Sequence, residues 1–133
     1  MKKSVISLLL IALMLFNLNG AVFASDGGYH QISPLWVNIH TITGGIVKDA
    51  GEFSALIKGL PNVTKITATA VLYYKNSNNN WIKTSTSWNY SVNSSSLVIT
   101  ETFTPAPNTD YKVIVEANVY ANGYTETVSK EFT

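Results

Sequence analysis

Side chains of the types that catalyse reactions are few in this chain, and they are widely spaced. The only two imidazoles are His30 and His40, and the sequence has no cysteine and no arginine. Nucleophilic catalysis needs a base beside the nucleophile and a third group that orients the base, and no spacing here suggests such a triad. The sequence therefore predicts that the protein is not an enzyme and has no catalytic residue.

The carboxylates are equally scattered. A paired-carboxylate glycosidase places two acids across one cleft, whereas the acids here fall on different predicted strands and loops. From residue 35 onward they are Asp49, Glu52, Glu101, Asp110, Glu116, Glu126 and Glu131. Two separated histidines give no zinc pattern, and the Asn-rich residues 76–80 lack a carboxylate and are typical of a turn. We expect solvated surface charges, no metal site and no cofactor.

Aromatic side chains are the remaining candidates for binding. If Lys75 and Trp81 pair across the turn at residues 76–80, Trp81 shares the outward face of Tyr73. With a neighbouring strand added, the predicted ligand-binding residues are Val71, Tyr73, Trp81, Ile114 and Tyr120. Flat rings beside Asn and Thr stack on sugars or anchor a protein partner, and an exposed apolar patch marks an interaction site.

Two other interpretations of these aromatic residues stay open. The rings merely cover the sheet, or a slip of one residue in strand register buries them. Trp88 and Tyr90 share the face of Ile82, and we expect them in the core.

The first 24 residues predict that the chain is exported. Lys2 and Lys3 give a basic start, an apolar run of roughly 14 residues follows at positions 5–18, and Val22-Phe23-Ala24 resembles a cleavage site. A retained membrane anchor is the alternative, but a spanning helix needs about 20 apolar residues. We expect a signal peptide at residues 1–24, a secreted, extracellular mature chain, and no membrane attachment after cleavage.

The composition of the mature chain argues against nucleic-acid binding and excludes modifications that need cysteine. Seven lysines then stand against eight acidic residues without arginine, so the basic signature of nucleic-acid binding is missing. The absence of cysteine excludes disulfides and a lipid-modified cysteine. We expect a flexible lead at residues 25–34 and one domain at residues 35–133, forming a monomer. The Asn-rich composition, with lysine as the only strong base, indicates a bacterial source.

The elements that would position these side chains are β-strands, because apolar residues alternate with period two. Residues 65–74 and 111–121 alternate most clearly, and Asn122-Gly123 after the second run predicts a hairpin. Further strands are predicted at residues 35–42, 52–58, 81–90, 96–104 and 124–132, with Gly44-Gly45 and a segment through Ala50-Gly51 separating the first two. About seven short strands predict an all-β fold, an antiparallel two-sheet sandwich.

The last predicted strand has an unusual charge pattern. Glu126 and Lys130 fall on the same side as Val128 and Phe132, which suits an edge strand protected from pairing with other molecules. A bulge that resets the register is the alternative.

One stretch resembles a known family. PNTDYKVIVEA at residues 107–117 looks like the P-x-T-x-Y-x-V-x-V-x-A segment of fibronectin type III domains, which are immunoglobulin-like sandwiches. The resemblance implies that Tyr111 forms the corner holding the preceding loop. This family usually has a core Trp on the second strand, where this chain has Phe53, Ala55 and Ile57.

The chain from Gly44 to Phe132 is also similar to small secreted single-domain sandwich proteins of Gram-positive bacteria. The shared features are a G-G start, a central strand with Trp and a terminal strand like T-E-T-V. Such proteins mostly lack an assigned activity, so the resemblance implies fold and export rather than chemistry.

We therefore expect a secreted binding or interaction module for cell-surface polysaccharide or a protein partner. One alternative is a structural protein of a bacterial surface or matrix that self-associates through its edge strands. Another is a small secreted effector or inhibitor that inserts a loop, such as residues 105–110, into its target. Fold alone does not choose among them.

Overall fold

The computed structural model describes residues 36–133, and the predicted signal peptide and the whole predicted flexible lead lie outside the described residues. Residues 36–133 form one compact unit of seven strands without a helix, which confirms the predicted all-β class. The strands are β1 (Ile39–Val47), β2 (Glu52–Gly59), β3 (Val63–Lys75), β4 (Trp81–Val92), β5 (Ser96–Thr102), β6 (Tyr111–Ala121) and β7 (Tyr124–Phe132).

The strands form two antiparallel sheets. A three-stranded sheet has the order β1-β2-β5, and a four-stranded sheet has the order β4-β3-β6-β7. Both sheets contribute apolar side chains to one core, in which the largest fully buried residues are Phe53, Ile57, Ile66, Ile99, Val113, Val115 and Val119. The predicted two-layer arrangement of about seven strands is confirmed at this level.

Alternation along β3 and β6 sorts their residues between core and solvent as predicted. Ile66, Ala68, Ala70 and Leu72 of β3 are buried, and so is every second residue of β6 from Tyr111 to Ala121. Because the side-chain period of a strand is two, the residues between them face outward.

Phe53, Ala55 and Ile57 of β2 are buried, and a tryptophan packs on them from another strand. The rings of Phe53 and Trp88 stack with centroids 6.4 Å apart and planes 19° apart. Trp88 and Tyr90 of β4 pack against the core, as expected. β4 therefore supplies the indole that β2 lacks.

The prediction that Gly44-Gly45 separates two strands is wrong, because β1 runs through both glycines to Val47 and begins only at Ile39. The predicted break through Ala50-Gly51 does lie between β1 and β2. Gly44 pairs with Ala55, and a Cβ at Gly44 would lie 2.3 Å from the carbonyl oxygen of Ser54. Gly44 therefore permits a close approach of β1 to β2 instead of ending the strand.

Two predicted turns are confirmed. Asn122 and Gly123 have φ angles of 52° and 78°, and they join β6 to β7 in the left-handed conformation that such hairpins need. In the turn at residues 76–80, the Asn76 side-chain oxygen accepts hydrogen bonds from the amides of Asn78 (3.0 Å) and Asn80 (2.9 Å). This Asn side chain thus stabilises the turn that brings Lys75 opposite Trp81.

Candidate binding face

The outward side of the four-stranded sheet, called the outer face below, carries all five predicted ligand-binding residues. β3 lies in the middle of this face, between β4 and β6. Lys75 pairs with Trp81, as the predicted hairpin requires. On the other side of β3, Val71 pairs with Ile114. Val71, Tyr73, Trp81, Ile114 and Tyr120 are all half-buried. The register slip that would have buried them has not occurred.

Four of these five residues lie together, and the fifth does not. Val71 and Ile114 are opposite each other, and Tyr73 and Trp81 follow toward the end of the sheet. Tyr120 instead pairs with Lys65, six positions from Ile114 along β6, a separation of about 20 Å. The predicted stripe of five residues is therefore divided in two, because six positions along β6 separate Tyr120 from Ile114.

Lysine side chains lie over the aromatic rings. The sequence did not predict these lysines as part of the site. The ammonium nitrogen of Lys112 lies 4.7 Å from the Trp81 ring centre and 5.7 Å from that of Tyr73. Lys75 lies 5.5 Å from the Trp81 ring centre. At the far end Lys65 lies 5.4 Å from the Tyr120 ring centre. All four contacts fall within the range of cation–π attraction.

The group called the Trp81 cluster below consists of Tyr73, Lys75, Trp81, Lys83, Lys112 and Glu131. Lys112 also donates a hydrogen bond of 2.8 Å to Glu131 on β7, and its side chain is only 12% exposed. Lys83 is opposite Tyr73 and exposed to solvent. The cluster thus contains three cations, two rings and one carboxylate. The period-two pattern was a usable signal, since Lys112 shares the outward side of β6 with Ile114.

The middle of the outer face is polar and built from short side chains. The Thr69 hydroxyl donates to the Asn89 side-chain oxygen at 2.8 Å, and the Thr127 hydroxyl donates to that of Asn118 at 2.7 Å. A shallow depression of about 180 Å³ opens here, lined by Thr67, Ala68, Thr69, Asn89, Tyr90, Glu116 and Asn118. Amide nitrogens and hydroxyls line a gently concave surface between the two aromatic ends.

Two other depressions lie elsewhere on the molecule. One, of about 560 Å³, is lined by Lys48, Asp49 and residues 105–110, and the ion pair of Lys48 with Asp110 at 3.1 Å crosses its rim. The other, of about 360 Å³, lies on the outward side of the three-stranded sheet near Gly44 and Val98. Neither brings aromatic rings together.

The loop that holds the larger depression is fixed to the core. The Tyr111 hydroxyl oxygen accepts a hydrogen bond of 2.8 Å from the Ala106 amide, and the Tyr111 ring packs on Phe103 at 4.9 Å. Residues 105–110 therefore start from a rigid base at the beginning of β6.

Histidine and acidic side chains are the groups among the described residues that could form a metal site. His40 is exposed on β1, and no three His, Asp or Glu side chains within residues 36–133 converge as a metal site would require. Tyr90 has the one clear pKa shift here: burial, and then the hydrogen bond to and charge of Glu101, raise the pKa of its phenol. The hydroxyl of Tyr90 donates to Glu101 at 2.5 Å, which links β4 to β5.

Comparison of the chain with protein-family models, with curated proteins and with solved structures gives no match. In the part of the chain from Trp36 onward, no helix has the length and apolar character to cross a bilayer.

Proposed function

We propose that the chain is a secreted, non-enzymatic binding module that holds an extracellular polysaccharide on the outer face. The observation that carries the proposal is that the outer face has half-buried aromatic and apolar side chains on either side of a polar middle. Sugar rings have apolar faces that pack on aromatic rings and hydroxyls that bond to amides and hydroxyls. The outer face offers both kinds of group.

We also propose that the sandwich is of the fibronectin type III, immunoglobulin-like kind. Two observations support this assignment: the division into three and four strands, and the hydrogen bond from the Ala106 amide to the Tyr111 hydroxyl. A tyrosine near the start of the sixth strand that bonds to backbone a few residues upstream is typical of such sandwiches.

A polysaccharide suits the outer face better than a protein partner does. Protein interfaces have apolar, aromatic centres from which lysine is depleted. Here lysines lie over Tyr73, Trp81 and Tyr120, and the middle of the face consists of Thr, Asn and Glu side chains. Extended sugar chains bind to such flat polar surfaces through many small contacts.

The test is a pull-down of residues 25–133, the predicted mature chain, on insoluble cell wall, chitin and cellulose. Tyr73→Ala/Trp81→Ala should lose retention on the material that holds the wild type, while its circular dichroism stays unchanged. Tyr124→Ala is the matched control, because this ring is 77% exposed at the hairpin and lies outside the site. Absence of retention on every polysaccharide, or capture of a protein alone, would refute the proposal.

Self-association is a second candidate, and the β5 edge is the observation that favours it. Within residues 36–133, β5 is at one edge of its sheet and presents outward Ser96, Val98, Thr100 and Thr102, none of them charged. Val98 is 68% exposed. β5 has one inward charge, Glu101, which is bonded to Tyr90, whereas β7 has two, Glu126 and Lys130, which discourages pairing at that edge.

Sedimentation velocity across a range of protein concentrations distinguishes this candidate. If β5 pairs between copies, the wild type forms larger species with rising concentration, and Val98→Lys stays monomeric because a charge blocks the edge. Val47→Lys is the control, since Val47 is 55% exposed on β1. A wild type that stays monomeric throughout excludes self-association.

A further inference from the structure

We infer that the ligand of the outer face is an anionic polysaccharide, one that carries carboxylate or phosphate groups along an extended chain. The inference rests on the proposed function, because it names the chemistry of the ligand for the same face.

The described residues have equal numbers of positive and negative side chains, but the outer face does not. Residues 36–133 contain seven lysines and seven acidic residues. Register and alternation place Lys65, Lys75, Lys83 and Lys112 on the outer face, against only Glu116 and Glu131. The remaining surface therefore has three lysines and five acidic residues. A field of one sign over a single face attracts ligands of the opposite charge.

The positions of the ammonium groups argue against a neutral sugar. Two lysines lie over the Trp81 ring, so a neutral sugar that stacks there must displace a cation from its ring. An anionic sugar can leave Lys75 and Lys112 near the rings, where each ammonium has further donors for a carboxylate or phosphate oxygen. The hydrogen bond from Lys112 to Glu131 keeps this lysine in place without a ligand.

The separation of the cations indicates an extended ligand. Lys65 and Tyr73 are eight positions apart on β3, so the Lys65–Tyr120 pair lies about 27 Å from the Trp81 cluster. Between them lie the amides and hydroxyls of the polar middle, with Glu116 as the one negative group on β6. A single small anion cannot reach both ends, whereas a polymer with charges at intervals can.

Lysine rather than arginine also fits this class of ligand. The chain has no arginine, so the site lacks the rigid fork that recognises one planar anion in two places at once. Lysine provides mobile point charges on long stems, which tolerate variation in the spacing of charges along a polymer.

Isothermal titration calorimetry of the exported chain tests the inference with matched polymers. The probes are polygalacturonate, the same polymer after reduction of its carboxyl groups, a phosphate-bearing wall teichoic acid, and dextran sulfate. We expect binding to polygalacturonate or teichoic acid, binding that weakens as salt is added, and none to the reduced polymer. Comparison of polygalacturonate with teichoic acid distinguishes carboxylate from phosphate as the natural anionic group.

Charge-matched variants connect the binding to the face. Lys75→Gln/Lys112→Gln should weaken binding about tenfold, because two ammonium groups that would contact the anionic groups of the ligand are removed. Lys58→Gln/Lys130→Gln removes the same charge elsewhere and should change the affinity less than twofold. Lys83→Gln, at an exposed position, serves if the first variant does not fold.

Three outcomes would overturn the inference in different ways. Equal binding of the reduced polymer would make the ligand neutral and leave the proposed function standing. Equal losses in both double variants, with tight binding of dextran sulfate, would reduce the effect to unspecific charge attraction. No binding to any polysaccharide would refute the proposed function together with the inference.

Discussion

The carboxylate of Glu126 on β7 accepts a hydrogen bond of 2.7 Å from the backbone amide of Asn38, just before β1. The second carboxylate oxygen accepts from the Val37 amide at 2.8 Å. Asn38 is held from other directions as well, since its carbonyl accepts from the Leu60 amide at 2.8 Å and its side-chain oxygen from Asn62 at 3.2 Å. The inward Glu126, predicted as an edge-protecting charge, also fixes the start of the first strand.

Glu126→Ala should lower the free energy of unfolding by about 1–2 kcal/mol, since hydrogen bonds to a charged acceptor contribute more than neutral ones. Amide hydrogen exchange at Val37 and Asn38 should accelerate, because both donors lose their acceptor. The control is Glu52→Ala, which removes an exposed carboxylate of β2. Unchanged exchange at both amides in the Glu126 variant would contradict this role.

Gly44 and Gly45 form a matched pair of adjacent positions with opposite surroundings. Gly44→Ala should destabilise by about 2–3 kcal/mol, because its Cβ would meet the Ser54 carbonyl oxygen and the Ala55 Cα atom, 2.8 Å away. Gly45→Ala meets no atom within 4 Å and should be neutral or stabilise by up to about 1 kcal/mol. Chemical denaturation measures both. Equal effects at the two positions would show that β1 does not approach β2 as described.

Tyr111→Phe tests the hydrogen bond that holds the loop before β6. Without the hydroxyl the Ala106 amide loses its acceptor, and we expect a loss of about 1–2 kcal/mol. The ring and its packing on Phe103 remain, so the fold itself should be unchanged. Tyr124→Phe removes an exposed hydroxyl and should stay within about 0.5 kcal/mol of the wild type. Similar values for the two variants would deny the hydroxyl of Tyr111 a special role.

The Tyr90–Glu101 hydrogen bond predicts a pH dependence of stability at alkaline pH. The pKa of Tyr90 is raised above its ordinary value of 10.0 by burial first and then by Glu101. A raised pKa means that the folded state favours the protonated phenol, so this contribution is fully present below pH 10 and lost as the pH rises further.

Denaturation from pH 8 to 11 should therefore show a fall in the unfolding free energy above about pH 10 that Tyr90→Phe reduces. At neutral pH this variant should lose about 1 kcal/mol with the hydrogen bond to Glu101. The matched variant Tyr124→Phe should keep the wild-type pH profile. An alkaline fall that is the same in both variants would exclude Tyr90 as its source.

The strands with clear alternation could be predicted from the sequence closely. β6 has the predicted bounds and β3 extends the predicted run by a few residues, because one face of each strand is buried and the period of two is then strict. β7 also has the predicted bounds, although only Val128 and Phe132 of its inward side are buried. The Asn122-Gly123 turn was also readable, since two residues tolerant of positive φ encode a tight hairpin locally.

β1 was the exception, because its two glycines predict the end of a strand when only neighbours in sequence are considered. The reason for Gly44 is the carbonyl of Ser54 on the paired strand, and no local pattern contains it. In the same way, Trp88 stacks on Phe53 from the opposite sheet, which the composition of β2 could not show.

Some features of the candidate site were likewise determined by the sequence, and others only by the tertiary structure. The sequence by itself determined which side chains share a face, including Tyr73 with Val71 and Ile114 with Tyr120, because alternation is a property of one strand. Only the tertiary structure decided that Lys112 lies over Trp81 and that Tyr120 pairs with Lys65, at the other end of β3 from Tyr73. Those relations depend on the register between strands distant in sequence, and that register is fixed by packing across the core rather than by any local signal.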